Sequence, residues 1–112
     1  MVSFEDFKKL DLRIGKIISV ENHPNADKLF IIKIDIGGEI KQSVAGLRPY
    51  FQPEQLLNRL VPVVANLEPA MLRGVESQVM VLAVTDLITD PLNKKVCLLV
   101  SEKEVPTGSK IS

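Results

Sequence analysis

Residues Val61–Met80 read VPVVANLEPAMLRGVESQVM. The opening run of small apolar residues, VPVVAN, has the composition of a buried strand. Pro69 and Gly74 punctuate a loop whose one cation is Arg73. Ser77–Val84, SQVMVLAV, closes the stretch as a second apolar strand. Two strands thus hold between them a loop that carries an amide, a guanidinium and a hydroxyl, in Asn66, Arg73 and Ser77. Groups on a loop anchored at both ends are positioned at small entropic cost. The stretch therefore suits a site that grips a polar partner from a rigid base.

Upstream, Arg13–Glu21 alternates as a strand does. Ile14, Lys16, Ile18 and Val20 share one face, and Arg13, Gly15, Ile17, Ser19 and Glu21 the other. Gly15 inside it predicts a bulge or sharp bend. Asn22–Asp27 (NHPNAD) is dense in turn formers and predicts a loop. Leu29–Ile36 and Glu39–Ala45 are strands joined by Gly37-Gly38, a two-residue hairpin signal. Gly46–Gln52 predicts a loop, and Pro53–Asn58 a short helix with proline at its start. Leu60–Asn66 and Ser77–Thr85 complete a set of five strands. Before them, Val2–Leu10 predicts a short amphipathic helix with Ser3 as N-cap and a Val2–Phe7 staple. Its face of Phe4, Phe7 and Leu10 is expected to dock on the body of the domain. After them, Asp86–Ser112 holds a turn at Asp90–Lys94, a further strand at Val96–Val100 and a tail from Glu104.

The 112 residues predict one domain with one small core. With 46% hydrophobic and 25% charged residues, the balance is that of a globular protein. The lone Cys97 excludes an internal disulfide, fits a reducing cytoplasm and reads as a core residue of an apolar strand. MVSFEDFKKL is too polar for a signal-peptide core, and no apolar run reaches membrane-spanning length. Lys+Arg and Asp+Glu balance at 14 each, so binding to nucleic acid requires cations gathered on one face or recognition by shape. There is no Gly-rich phosphate loop and no set of ligands at metal spacing, which argues against an enzyme and against any cofactor or metal. His23, the one histidine, stands before Pro24 and reads as a turn residue.

Seven motifs stand in order along the chain: LRIGK (Leu12–Lys16), ENHPNADKL (Glu21–Leu29), DIGG (Asp35–Gly38), AGL (Ala45–Leu47), PEQL (Pro53–Leu56), ANLEPAMLRGVESQVM (Ala65–Met80) and VPTGSKIS (Val105–Ser112). Together they resemble the tRNA-binding domain family. That domain is found at the C-terminus of methionyl-tRNA synthetases, as separate β subunits, as free-standing dimeric tRNA-binding proteins and in cytokine-like synthetase auxiliary factors. The resemblance implies an all-β fold, a five-stranded oligonucleotide-binding (OB) Greek-key barrel with short helices and a C-terminal extension. The strand order agrees with that connectivity. In such barrels the loops after strands one and four flank the binding face, and here those loops are NHPNAD and LEPAMLRGVE.

The same resemblance implies a tRNA site. Lys28 matches the family's backbone-contacting lysine, and a lysine suits phosphate as a flexible point charge. Arg73 matches the arginine of the family's RG pair, and its planar fork suits phosphate or stacking on a base. Ser77 and Met80 occupy the family's Ser-x-x-Met positions, Ser77 as a donor and Met80 as an apolar contact or as core. Asn66 reads a base edge or ties down its own loop. Arg13 and Lys16 are outlying cations, pointing to opposite faces unless a bulge at Gly15 reunites them. Glu68 and Met71 depart from the lysines that many members carry, and Val79 from a glycine, which implies weaker, more salt-sensitive binding. The implied function is non-catalytic tRNA binding in the cytoplasm, with a methionyl-tRNA synthetase catalytic subunit as a partner. The segment 86–112 is expected to build a homodimer interface. The alternative is a protein-binding module of the same superfamily, a chaperone-like export factor or a scaffold.

Overall fold

Gly37 and Gly38 turn the chain between two strands with φ of 95° and 86°. Positive values at both positions are what a tight turn matched to strand twist requires. The Ile36 N–H donates across the turn to the Glu39 carbonyl at 3.0 Å. The computed structural model describes residues 1–112. On either side of the turn run β2 (Phe30–Asp35) and β3 (Ile40–Ala45). β1 (Leu12–Asn22) lies antiparallel to β2 through its second half and to β4 (Leu60–Val64) through its first. α1 (Phe4–Phe7) precedes this sheet, and α2 (Pro53–Leu56) connects β3 to β4. Leu56 of α2 is fully buried beneath the sheet.

Every second residue of β2 points inward: Phe30, Ile32 and Ile34 join Ile17, Ile36, Val61 and Val63 in one core. Gly15 is needed for packing and not for a bend. A Cβ there would sit 2.5 Å from Ile34 Cγ2 and 3.1 Å from Val63 Cγ2. The irregularity of β1 lies further on, between Ile17 and Ser19. Up to Ile17 the alternation read from the sequence holds, with Gly15 and Ile17 facing inward; beyond it the irregularity breaks the alternation, so that Ile18 is exposed while Val20, read as sharing its face, packs against the core.

The predicted fifth strand, Ser77–Thr85, is three short ones, and the predicted loop before it contains another. β5 (Ala70–Leu72) pairs with β6 (Val75–Ser77), β7 (Met80–Val81) pairs with β4, and β8 (Ala83–Asp86) pairs with β9 (Lys95–Leu98). The chain changes partner twice within a dozen residues, and each change breaks the ladder. The main sheet runs β3-β2-β1-β4-β7, and it curls until β3 meets residues 76–79. Side chains serve this seam. Gln42 N–H donates to Gln78 Oε1 (3.0 Å), Gln42 Nε2 to the Glu76 carbonyl (2.7 Å) and Val44 N–H to Ser77 Oγ (3.0 Å). The result is the expected all-β, OB-like barrel.

The N-terminal helix departs from expectation. α1 spans four residues, with Ser3 Oγ accepting the Asp6 N–H as an N-cap should. Its apolar face does not dock: Phe4 is 71% exposed, and Phe7 and Leu10 are exposed too. The chain is held just after it instead, where Asn66 grips the backbone of Lys9 and Asp11. The C-terminal tail is fully engaged. Gly108 N–H donates to the Ile14 carbonyl (2.7 Å), Ile14 N–H to Ser109 (2.8 Å) and Ile111 N–H to Leu12 (2.9 Å), along the part of β1 that β2 does not reach. No helix is long and apolar enough to cross a membrane.

Candidate nucleic-acid interface

The loop between β4 and β7 is built as a hairpin, and its turn is Arg73-Gly74. Leu72 pairs with Val75 across it. Both turn residues have positive φ, 52° at Arg73 and 86° at Gly74. That conformation is uncommon for a residue with a Cβ. It puts the arginine at the tip of the ribbon, where Nη2 donates to the Asn25 carbonyl of the first loop at 3.0 Å. One of five guanidinium N–H groups is thereby used, and four remain.

The first loop is braced from within. His23 is 3% exposed, although the residues on either side of it are exposed. Its Nδ1 accepts the Asn25 N–H at 3.0 Å, so that nitrogen carries no proton. Nε2 therefore bears the hydrogen, and it donates to the Leu72 carbonyl at 3.0 Å. Arg48 Nη1 donates to the Ala26 carbonyl at 3.3 Å. His23 is thus an inter-loop tie and not a simple turn residue. Its sequence position gave one sign of this: a histidine can accept from the N–H two residues on, as asparagine does in an Asx turn.

Where the two loops meet lies an open depression of about 400 Å³, lined by Asn25, Ala26, Asp27, Lys28, Leu29 and Arg73. Lys28 and Arg73, far apart in sequence, converge here. The four ion pairs of the chain join Lys8 to Glu5, Lys9 to Asp6, Arg13 to Asp11 and Lys41 to Glu39. Neither Lys28 nor Arg73 is among them, so both cations face the depression without a carboxylate in contact.

Ser77 and Met80 line a second, mainly apolar cavity of about 420 Å³ with Tyr50, Leu67, Leu72 and Val96 among its walls. Met80 is 49% exposed and is not core. Ser77 Oγ accepts from Val44 and donates to the Val79 carbonyl, so the hydroxyl is occupied in the barrel seam. Glu68 lies on the wall of this cavity.

The other sequence-predicted residues lie elsewhere. Asn66 spends both ends of its amide on backbone, accepting from Asp11 N–H and donating to the Lys9 carbonyl, each at 2.8 Å. Arg13 forks onto Asp11 (Nε–Oδ1 2.9 Å, Nη2–Oδ2 2.7 Å) and donates from Nη1 to the Ile36 carbonyl at 3.1 Å. The fork holds the Asp11 carboxyl below its ordinary value and raises the Arg13 guanidinium. Lys16 faces a separate depression beside Asn58 and Glu104–Thr107. The pairing of β1 with β4 is unbroken from Leu12 to Lys16, so no bulge at Gly15 reunites Arg13 with Lys16. Cys97 is exposed on β9, contrary to its expected place in the core. No three His, Cys, Asp or Glu side chains gather as a metal site requires.

A family model described as "Putative tRNA binding domain" matches residues 12–110. The methionine–tRNA ligase of Pyrococcus furiosus is 59% identical over 110 residues, which are 98% of this chain and 14% of that protein. The methionine–tRNA ligase of Thermotoga maritima is 43% identical over 111 residues, 99% of this chain and 17% of that protein. The chain therefore matches only a small part of the length of these relatives. Among solved structures, a MetRS related protein from Pyrococcus horikoshii superposes with a TM-score of 0.89 at 28% identity, covering 100% of this chain and 98% of that one. The chaperone CsaA from Bacillus anthracis superposes with a TM-score of 0.85 at 35% identity, covering 100% and 99%. With a match that runs from the first residue of β1 to the tail paired beside it, the chain belongs to the tRNA-binding domain family.

Proposed function

We propose that this domain binds tRNA without chemistry of its own, by the shape and backbone of the RNA more than by its sequence. The observation that carries the proposal is the convergence of Lys28 and Arg73, free of carboxylate contacts, where the two loops meet. Arg73 would place its remaining N–H groups on phosphate oxygens and Lys28 would add a point charge. Met80, exposed beside the hairpin, would offer an apolar contact. Asn66 and Arg13 would support the fold from the far side, and Lys16 would be outlying. In this role the domain serves methionyl-tRNA synthetase, as a β subunit, an appended domain or a free-standing protein, in the cytoplasm where tRNA is charged. Its effect is to raise the local concentration of tRNA at a catalytic partner. We further infer a homodimer built on the extension, which would present two such faces about a two-fold axis.

The test is tRNA binding across a salt series, with duplex DNA as competitor, for the wild type and Arg73→Ala. The expected result is a preference for tRNA, a roughly fivefold loss for Arg73→Ala and a salt slope reduced by about one. Equal binding of tRNA and DNA at low salt, or no change in Arg73→Ala, refutes the assignment.

A second reading has one observation in its favour. The apolar cavity beside Met80 suits an extended peptide, and the similarity to a CsaA chaperone structure extends over the whole chain. A peptide that binds and is not displaced by tRNA would support it.

A further inference from the structure

Arg73 stands at the tip of a ribbon whose strands are three residues each, and every residue of Ala70–Leu72 is exposed. A two-stranded ribbon of this size does not hold its own orientation in water. Its base is held on β3 through Glu76 and Ser77; its tip is attached to the first loop, and that attachment is reciprocal. A side chain from the first loop, His23, reaches the hairpin backbone at Leu72, while a side chain from the hairpin, Arg73, reaches the loop backbone at Asn25. The His23 imidazole also accepts from Asn25 N–H, so one ring shapes the peptide on which Arg73 rests and anchors the residue before Arg73.

Of the two ties at the tip, only the His23 tie leaves the guanidinium uncommitted. Contact with phosphate could draw Arg73 away from Asn25, but it would leave the His23–Leu72 bond in place. The ring is buried and both its nitrogens are spent on backbone groups, so it takes no direct part in holding an anion.

We propose that His23 is a positioning residue for tRNA binding: by tying Leu72 to the first loop it fixes the hairpin tip so that Arg73 and Lys28 face the same depression. This rests on the tRNA-binding reading of that depression. Loop and hairpin are then set before the RNA arrives, and ordering the tip costs no binding energy at the moment of contact.

Two substitutions separate the bonds of the ring. His23→Gln can place an amide N–H near the position of Nε2 and keep the reach to Leu72. His23→Asn can place a carbonyl oxygen near the position of Nδ1 and keep the bond from Asn25 N–H, as in an Asx turn, but falls short of Leu72. Each is measured alone and with Arg73→Ala, for tRNA affinity, salt slope and melting temperature, at a temperature where the variant is folded. The expected result is that His23→Gln binds within about twofold of wild type, while His23→Asn loses roughly fivefold, the factor that one net hydrogen bond corresponds to. In the Arg73→Ala background His23→Asn should cost little more, because its effect passes through Arg73. Equal losses in both His23 variants, or the same loss with and without Arg73, would overturn the positioning role. Wild-type binding by His23→Asn beside a weakened Arg73→Ala would overturn it too and leave the tRNA reading standing. An unaffected Arg73→Ala would remove the tRNA reading itself.

Discussion

Arg13 shows how a residue's type and its task diverge. As a cation near the start of β1 it looked available to phosphate, yet its fork is filled by Asp11 and its last arm by the Ile36 carbonyl. Asn66 and Ser77 are engaged in the same way with backbone groups. A sequence gives each donor and acceptor but not its partner: Asp11 is only two residues from Arg13, but the groups that engage Asn66 lie 55 and 57 residues away and Val44 lies 33 from Ser77. His23 was misread for that reason: its tie to Leu72 spans 49 residues. The loop positions of Arg73 and Lys28 were legible from their motifs, and on loops few internal partners compete for such side chains. The Asp11–Arg13 pair also has a pH signature. The hydrogen bond from Arg13 holds the Asp11 carboxyl below its ordinary 3.8. A carboxyl lowered on folding stabilises the fold fully above its unfolded-state value, and loses that contribution as pH falls through the folded value. Asp11→Asn should therefore cost about 0.5 kcal/mol at pH 7, a small figure because both side chains are about one-third exposed. The deficit should begin to shrink near pH 4, around the unfolded value, and be lost as the pH falls through the lower folded value. Thermal melts of both proteins between neutral and acid pH check this; a deficit that persists unchanged into acid would contradict it.

Elements with local signals were the ones that could be read. Gly37-Gly38 announces its turn, Pro53 opens α2, and the alternation of Phe30, Ile32 and Ile34 marks β2. The segment from Ala70 to Asp86 was not legible in the same way. Its strands are defined by which neighbour each one meets, β6 by β5, β7 by β4 and β8 by β9. The RG pair is a hairpin turn, but its flanking strands of three residues are too short for a period to show. The segment approaching this hairpin also carries Glu68, which is exposed. Glu68→Lys should strengthen tRNA binding about threefold and raise the salt slope by about one, since it exchanges a repelled charge for an attracted one. Filter binding at several salt concentrations measures both. A slope that does not move would place residue 68 outside the footprint.

At the scale of the whole molecule, the net charge of zero is compatible with a cationic contact area because the chain's ion pairs lie away from Lys28 and Arg73. The exposed apolar surface is the larger anomaly. Ile88 is 93% and Leu92 92% exposed in the extension, and Phe4 and Leu10 stand free near the N-terminus. Scattered apolar residues need no explanation, but these large side chains are concentrated in the two terminal segments. The dimer inferred above predicts a sedimenting species of twice the 12.4 kDa chain mass at micromolar concentration, and its conversion to monomer in the double variant Ile88→Asp, Leu92→Asp. A single 12.4 kDa species in the wild type would exclude it.

The tail that pairs with β1 bears on the order of assembly. Ile111 donates to Leu12 and Gly108 to Ile14, so contacts between the first strand and the last residues span nearly the whole sequence. Loop closure over such a separation comes late and slowly. On a ribosome the β2–β3 hairpin can form early, while the open side of β1 waits until Gly108–Ile111 has emerged. The seam between β3 and residues 76–79 can therefore form before the free side of β1 is covered, and until the tail pairs there the edge of that strand is exposed to other chains.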